Sequence, residues 1–377
     1  MNITDTIDSI VQSAIDRRIF PGAVVLVARG AEVCHFAGYG STMRDAPGSR
    51  PVVRDMIYDV ASLTKVFTAT AALRLADQGR LDLHAPAALY LPELRATGVK
   101  VLHLLTHTSG LDIRLSALRE AGRDGVMAAV YAAAPVYQPG TVVAYTNVNS
   151  LLLGEIVARL YGEPLDIALH ALVSGPLGLR DTQFRPPAAL LPRIAPTEID
   201  SSWRGGLIHG SVHDESTHAL GGVAGHAGLF STAEDLYRFC LMWLDDQPTT
   251  NDQRPRAPYN DNDPIILSFR HLVTSSSSAH DRILRPETIA LATANHTREL
   301  NLGCGLGWML DRSNFMGHAP AGSFGHTGFT GPALVVVPQE QLIVVVLSNR
   351  VYPQRRPPPF EHHAITTAIV DAALSKA

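Results

Sequence analysis

The stretch Val60-Ala61-Ser62-Leu63-Thr64-Lys65 opens a run of helix-forming residues that continues to Gln78 and stops at Gly79. Residues three apart share a helix face, so the Lys65 amine can reach the Ser62 hydroxyl. A serine is a poor nucleophile until a neighbour takes its proton, and a lysine can do so where burial or a nearby cation lowers its pKa. At the first turn Ser62 also offers its own N–H, close to the positive helix end, to a developing oxyanion. A helix cap followed by a helix-forming lysine would read the same way, so the pair decides nothing alone.

Two later segments bear on it. Tyr145-Thr146-Asn147 follows the turn Pro139-Gly140 and precedes a helix expected from about Asn149, as its cap, to Tyr161, with Gly162 as stop. A tyrosine beside a serine and a lysine can shuttle protons, and the Asn147 amide, expected in an extended segment, suits a substrate amide. The third segment is Phe324-Gly325-His326-Thr327-Gly328-Phe329-Thr330-Gly331. Its small residues would let a substrate backbone lie along a strand edge, although a Gly-rich turn before the next strand has the same composition.

Around these lies a framework legible from periodicity. Residues 3–17 put Ile3, Ile7, Ile10, Val11 and Ala14 on one helical face. Ala23–Ala28 and Val33–Gly38 read as a hairpin across Arg29-Gly30-Ala31-Glu32, and Ala333–Val337 with Leu342–Leu347 as a second across Pro338-Gln339-Glu340-Gln341. Residues 362–375, opening at His362-His363, give a closing amphipathic helix. With 377 residues the chain exceeds the ~250–300 that one core usually serves. The expected division is an α/β subdomain from 1–61 and 265–377, and a mainly helical one from 62–244. A helix there opens at Ser231-Thr232-Ala233-Glu234, with capping-box spacing. Residues 245–264, rich in Pro, Asn, Asp and Arg, have the composition of an exposed, disordered insertion, which the serines at 275–278 continue.

Composition removes several classes of function. The net charge is −4 and no Lys/Arg run makes a basic stripe; Arg355-Arg356 beside Pro357-Pro358-Pro359 reads as a solvated loop, so no nucleic-acid partner is expected. The N-terminus is polar and acidic without an apolar core, and no apolar stretch approaches the ~20 residues of a membrane span. A cytoplasmic location is the expectation. Cys34, Cys240 and Cys304 show no metal spacing and read as small buried apolar residues. His209, His213, His218 and His226, with Asp214 and Glu215, are residue types that suit zinc. His209/His213 and His103/His107 also have i,i+4 spacing. Yet Gly210, Gly221, Gly222 and Gly225 argue against a helix there and no H-E-x-x-H occurs, so loop hydrogen bonding or cleft lining is expected and no metal. For His103 and His107 the expectation is polar packing.

The order S-x-x-K, Y-x-N, His-Thr-Gly resembles that of the penicillin-recognising serine hydrolases. Val60–Lys65, His103–Leu111 and Gly225–Thr232 look like the class C β-lactamase and family VIII esterase branch, with similarity also to low-molecular-mass D-alanyl-D-alanine carboxypeptidases. The resemblance covers roughly residues 5–350 apart from 245–264. It implies a β-lactamase/transpeptidase-like α/β (α+β) fold, an antiparallel sheet flanked by helices plus an all-helical subdomain, with Ser62 at the junction. It implies hydrolysis of a small-molecule or peptide ester or amide without metal or organic cofactor, and leaves the oligomeric state open. By the same resemblance Ser62 is acylated, and Lys65 takes its proton or keeps Tyr145 deprotonated. Tyr145 shuttles protons, the N–H groups of Ser62 and Phe329 form the oxyanion hole, Asn147 binds the substrate amide carbonyl or stabilises Lys65, and His326, Thr327 and Gly328 bind substrate. Where β-lactamases usually carry Lys in the third motif this chain has His326, mostly neutral at pH 7. That departure favours an esterase or a D-amino-acid peptidase with weak or no β-lactamase activity. The segment Ala195–Glu215 resembles a sub-branch that includes weak bacterial carboxypeptidases and receives no chemical role. A penicillin-binding or scaffold protein that acylates without turnover is the alternative, and a zinc hydrolase using the 209–226 histidines a further rival.

Overall fold

A computed structural model describes residues 2–244 and 283–375. The insertion expected at 245–264 and the serines at 275–278 lie outside the described residues. Asn2 caps the first helix, α1 (Ile3–Asp16), accepting from Asp5 N–H while the Asp5 carboxylate accepts from Asn2 N–H. The chain then forms β1 (Gly22–Arg29) and β2 (Glu32–Gly40), and far downstream β3 (Met309–Leu310), β4 (Phe324–Thr327), β5 (Ala333–Val337) and β6 (Leu342–Ser348). These six strands make one antiparallel sheet in the order β2-β1-β6-β5-β4-β3. The two ends of the chain meet at its centre, where Ala23 pairs with Ser348 and Arg29 with Leu342.

Alternation along the strands sorts the core into two layers. Ala23, Val25 and Val27 of β1, Val335 of β5 and Val344 of β6 point to one side, where α1 and the closing helix (Glu361–Leu374) cover them with Ile7, Val11, Ile365 and Ile369. Val24, Leu26, Val336, Val345 and Leu347 point to the other side and pack into the helical layer. Each such side chain stabilises the fold by about 1.5–3 kcal/mol on full burial. With both faces covered, the strands read in sequence as unbroken apolar runs, because neither face needs polar residues.

The helical layer is built on α2 (Thr64–Asp77) and α3 (Asn147–Tyr161), with α4 (Ala233–Leu241) packed between α2 and the sheet. α2 is buried on nearly every side, so it shows no amphipathic stripe. Gly79 and Gly162 take the left-handed conformations that end α2 and α3. Three local expectations are corrected. α3 begins at Asn147, because Thr146 is the extended cap residue, so Asn147 is its first helical residue, and Asn149 sits buried inside it. The cap of α4 is Thr232, whose hydroxyl accepts from Asp235 N–H, one residue beyond the expected Ser231. Cys240 and Cys304 are buried, but Cys34 is only half-buried, on an outer strand where its thiol faces the Glu32 carbonyl.

A glycine pair sets the distance between α3 and the segment that follows His218. A Cβ on Gly225 would lie 2.1 Å from Ser150 O, and one on Gly154 would lie 2.9 Å from Gly225 Cα. This contact lets Gly225 O accept from Thr68 Oγ1 of α2 at 2.9 Å. Gly225→Ala is expected to lower the urea midpoint at unchanged m-value, by roughly 1–3 kcal/mol of overpacking, read by equilibrium unfolding.

Candidate active site

Ser62 lies in a tight turn, Ala61–Leu63, that leads into α2. Ala61 has φ of +46°, a conformation that costs a non-glycine residue of order 1–3 kcal/mol. The buried carboxylate of Asp59 stabilises it: one oxygen accepts from Ala61 N–H at 2.8 Å, the other from His213 N–H at 2.7 Å. Burial pushes the Asp59 carboxyl pKa up, in spite of those two hydrogen bonds. Because Ser62 precedes the turn's first hydrogen bond, Leu63 N–H to Val60 O, its own N–H is left for an outside acceptor.

Lys65 is 2% exposed and donates to Ser62 Oγ at 2.8 Å and to His226 O at 3.1 Å. Its ammonium stands 5.0 Å from the centre of the Tyr145 ring. Among the described residues no carboxylate pairs with it. Tyr145 is 42% exposed and lies against two imidazoles, His107 at 4.6 Å and His326 at 5.8 Å between ring centres. Both histidines are held down to a pKa of about 3, first by burial and then by the Lys65 charge, so both are neutral near pH 7. The Nδ1–H of His326 donates to the Thr327 carbonyl at 2.9 Å. Asn149 Nδ2 donates to His107 Nδ1 at 3.2 Å and to Thr146 Oγ1 at 2.9 Å, while its Oδ1 accepts from Ser109 Oγ.

The loop 103–111 is thereby the support of Tyr145. Gly140 N–H donates to Thr108 O, Ala144 N–H to His107 O, and Thr146 Oγ1 to Leu111 O. Sequence reasoning gave His107 only polar packing; its positive φ and the run of buried Thr106, Thr108 and Ser109 mark a loop built to carry something. Asn147 is half-buried at the first position of α3 and has no hydrogen-bond partner among the described residues.

The third motif closes the site from the sheet. β3 pairs only as far as Gly325, so the β4 edge is open beside His326 and Thr327. A Cβ on Gly328 would meet Val60 O at 2.7 Å, which brings the end of β4 onto the Ser62 turn. Phe329 sits at the tip of the turn closed by Gly331 N–H to Gly328 O, and Thr330 Oγ1 donates to Asp59 O at 2.8 Å.

The segment 195–226 underlies all of this. Glu198 accepts from His213 Nε2 at 2.8 Å and from the Arg355 N–H and Nε at 2.8 and 2.7 Å, while Arg355 Nη1 reaches Glu215 at 2.7 Å. Burial pushes the Glu198 pKa up, but the hydrogen bonds from His213 and Arg355 outweigh it and hold the carboxyl at about 2. His226 Nε2 lies 3.0–3.2 Å from Ser216, Thr217 and Asp214, and burial at Asp214 is likewise outweighed by hydrogen bonds, which leave its pKa below the usual carboxylate range. His209 bonds to the carbonyls of Leu191 and Ile194, and His218 meets the Trp203 edge. The four histidines considered for zinc thus face separate partners.

The profile of the Beta-lactamase family matches residues 7–367. An N-acetylmuramyl-L-alanine amidase of Bacillus subtilis (strain 168) is 28% identical, with 96% of this chain and 88% of that one aligned. A putative D-alanyl-D-alanine carboxypeptidase of Escherichia coli (strain K12) is 26% identical over 91% of this chain and 82% of its own. Among solved structures, EstCE1, a hydrolase with promiscuous acyltransferase activity, superposes with a TM-score of 0.70 at 22% identity, covering 98% of this chain and 97% of that one. The fold expected from the three motifs is the one these matches share.

Because the pKa of Glu198 is depressed from its ordinary 4.5 to about 2, its stabilisation is present above pH 4.5 and lost as pH falls toward 2. It amounts to on the order of 3 kcal/mol. Glu198→Gln is expected to lower the melting temperature at pH 7, with the difference from wild type shrinking steadily between pH 5 and about 2.

Proposed function

As this chain belongs to the β-lactamase family of serine hydrolases, we propose that it cleaves esters or amides through an acyl-enzyme on Ser62. The observation that carries the reading is the 2.8 Å contact from the buried Lys65 amine to Ser62 Oγ. Ser62 Oγ attacks the carbonyl as its proton passes to Lys65, or to Tyr145 held close by Lys65. Negative charge develops on the carbonyl oxygen between the N–H groups of Ser62 and Phe329. Collapse expels the alcohol or amine, protonated by Tyr145, and water then attacks the acyl-serine with the same group as base. Asn147, whose side chain has no hydrogen-bond partner among the described residues, binds the substrate amide, and a substrate backbone lies along the open edge at Thr327 and Gly328.

The neutral His326 supports the substrate range. Buried and uncharged, it offers no fixed positive charge to a carboxylate, so the preferred substrate is an ester or a D-amino-acid amide recognised without one. The names of the two relatives above put muramyl-alanine amides and D-alanyl-D-alanine peptides among the amides to test.

Incubation with a fluorophosphonate, a labelled penicillin and a p-nitrophenyl ester, followed by intact-mass measurement, tests the reading. An adduct mapping to Ser62, absent in Ser62→Ala, and turnover of the ester are expected. A penicillin adduct that persists while nothing turns over would move the reading to an acyl-trapping protein. No adduct in folded protein would sink it. Lys65→Met is expected to slow acylation by about 10²–10⁴-fold. His326→Lys should raise the penicillin acylation rate relative to the ester rate, and an unchanged ratio would refute the role assigned to His326.

A further inference from the structure

Arg350 follows β6 and is 7% exposed, yet its Nε and Nη2 have no hydrogen-bond partner among the described residues. Its guanidinium instead lies in the corner formed by two edge-to-face rings, 4.6 Å from the centre of Phe329 and 4.5 Å from that of Phe360. The nearby acid, Glu198, is already engaged by Arg355 and His213. Burial, together with the Arg355 charge, lowers the Arg350 pKa to about 10. A cation–π contact offsets only part of the cost of burying an unpaired cation. On stability grounds alone an apolar side chain would serve better there.

Phe329 explains what the arginine does. Its ring is 40% exposed, but it also lies 5.8 Å from the His213 imidazole, nearly parallel, and 5.9 Å from the Arg355 guanidinium. Phe360 meets it edge-on at 6.1 Å. These groups are themselves fixed: His213 through Glu198 and Asp59, Arg355 through Glu198 and Glu215. The ring is therefore gripped on several sides by groups that are tied to the Ser62 turn. Fixing a ring fixes the backbone that carries it, and the N–H of Phe329 is one half of the oxyanion hole in the reading above.

We infer that Arg350 is a positioning residue for the reaction: seated against both the Phe329 and Phe360 rings, it holds the Phe329 N–H in register with Ser62. The inference rests on the oxyanion role of Phe329. It assigns Arg350 no contact with substrate, so its effect falls on kcat and leaves KM nearly unchanged. A misplacement of about 1 Å at such a donor costs up to about 10²-fold in rate.

The test compares an ester with its thionoester, whose sulfur is a poor acceptor in an oxyanion hole. Wild type is expected to favour the ester strongly. Arg350→Met is expected to lose about 10–100-fold in kcat on the ester, to keep KM within about 3-fold, and to narrow the ester-to-thionoester ratio. Its melting temperature should stay at or above that of wild type, since the uncompensated cation has gone. Arg350→Lys should show the same kinetic defect, because a compact ammonium cannot seat against both rings. Phe360→Leu, which leaves Arg350 in place with one ring fewer, serves as a second probe and should narrow the ratio in the same sense. An unchanged kcat, or a lower kcat with the ratio intact, would overturn the inference. A wild type that treats ester and thionoester alike would instead overturn the oxyanion reading on which it stands.

Discussion

The carboxylate of Asp59 is the constraint on which the site depends. It accepts one hydrogen bond from the backbone just before Ser62 and one from His213, while its own carbonyl accepts from Thr330. A single buried residue thus joins the helical layer, the 195–226 segment and the third motif of the sheet. The arrangement is costly in two ways: a buried acid whose pKa is raised, and a left-handed Ala61 beside it. Both costs are offset only when all three segments are in place, which couples the geometry of the nucleophile to the complete fold.

The same logic gives the 195–226 segment its place. It supplies the carbonyl of His226 to Lys65, the N–H of His213 to Asp59 and the carboxylate of Glu198 to Arg355. Asn349 Nδ2 donates to Pro196 O, and Ile199 N–H to Pro353 O, so the segment is also stitched to the chain leaving β6. Apart from the His226 carbonyl on Lys65, none of these contacts involves a side chain beside Ser62. The segment acts as a floor; His209, His213 and His226 are fixed by separate hydrogen bonds, and His218 by its contact with Trp203.

What was legible in the sequence follows from which interactions are local. Paired apolar runs and a hairpin-length connection are short-range signals, and β1, β2, β5 and β6 emerge from them within one or two residues. Ser62 and Lys65 are one helical step apart, so their meeting could be read directly. Asp59 could not be read this way: its partners are 2, 154 and 271 residues distant. His107 was visible as a residue of a recognised loop, but its contact with the Tyr145 ring depends on how residues 139–147 fold back over it. The start of α3 was misplaced for a local reason. Both Thr146 and Asn149 are good caps by type, and the choice between them is made by tertiary hydrogen bonds to Leu111, His107 and Ser109.

The charge pattern around the reacting centre is unusual for a site that handles carboxylates. Lys65 is buried with no carboxylate paired to it among the described residues, His107 and His326 are neutral, and Arg350 is turned onto rings and away from solvent. The acids of the region are consumed in pairs with Arg355, His213 and His226, at a remove from Ser62. In the proposed reaction, a negative charge that appears only in the transition state would meet fixed amides and Lys65, while a substrate carboxylate would find no free cation at the third motif among the described residues. On the proposed reading such a site favours charge that develops over charge that arrives, in contrast to a site with lysine at the His326 position.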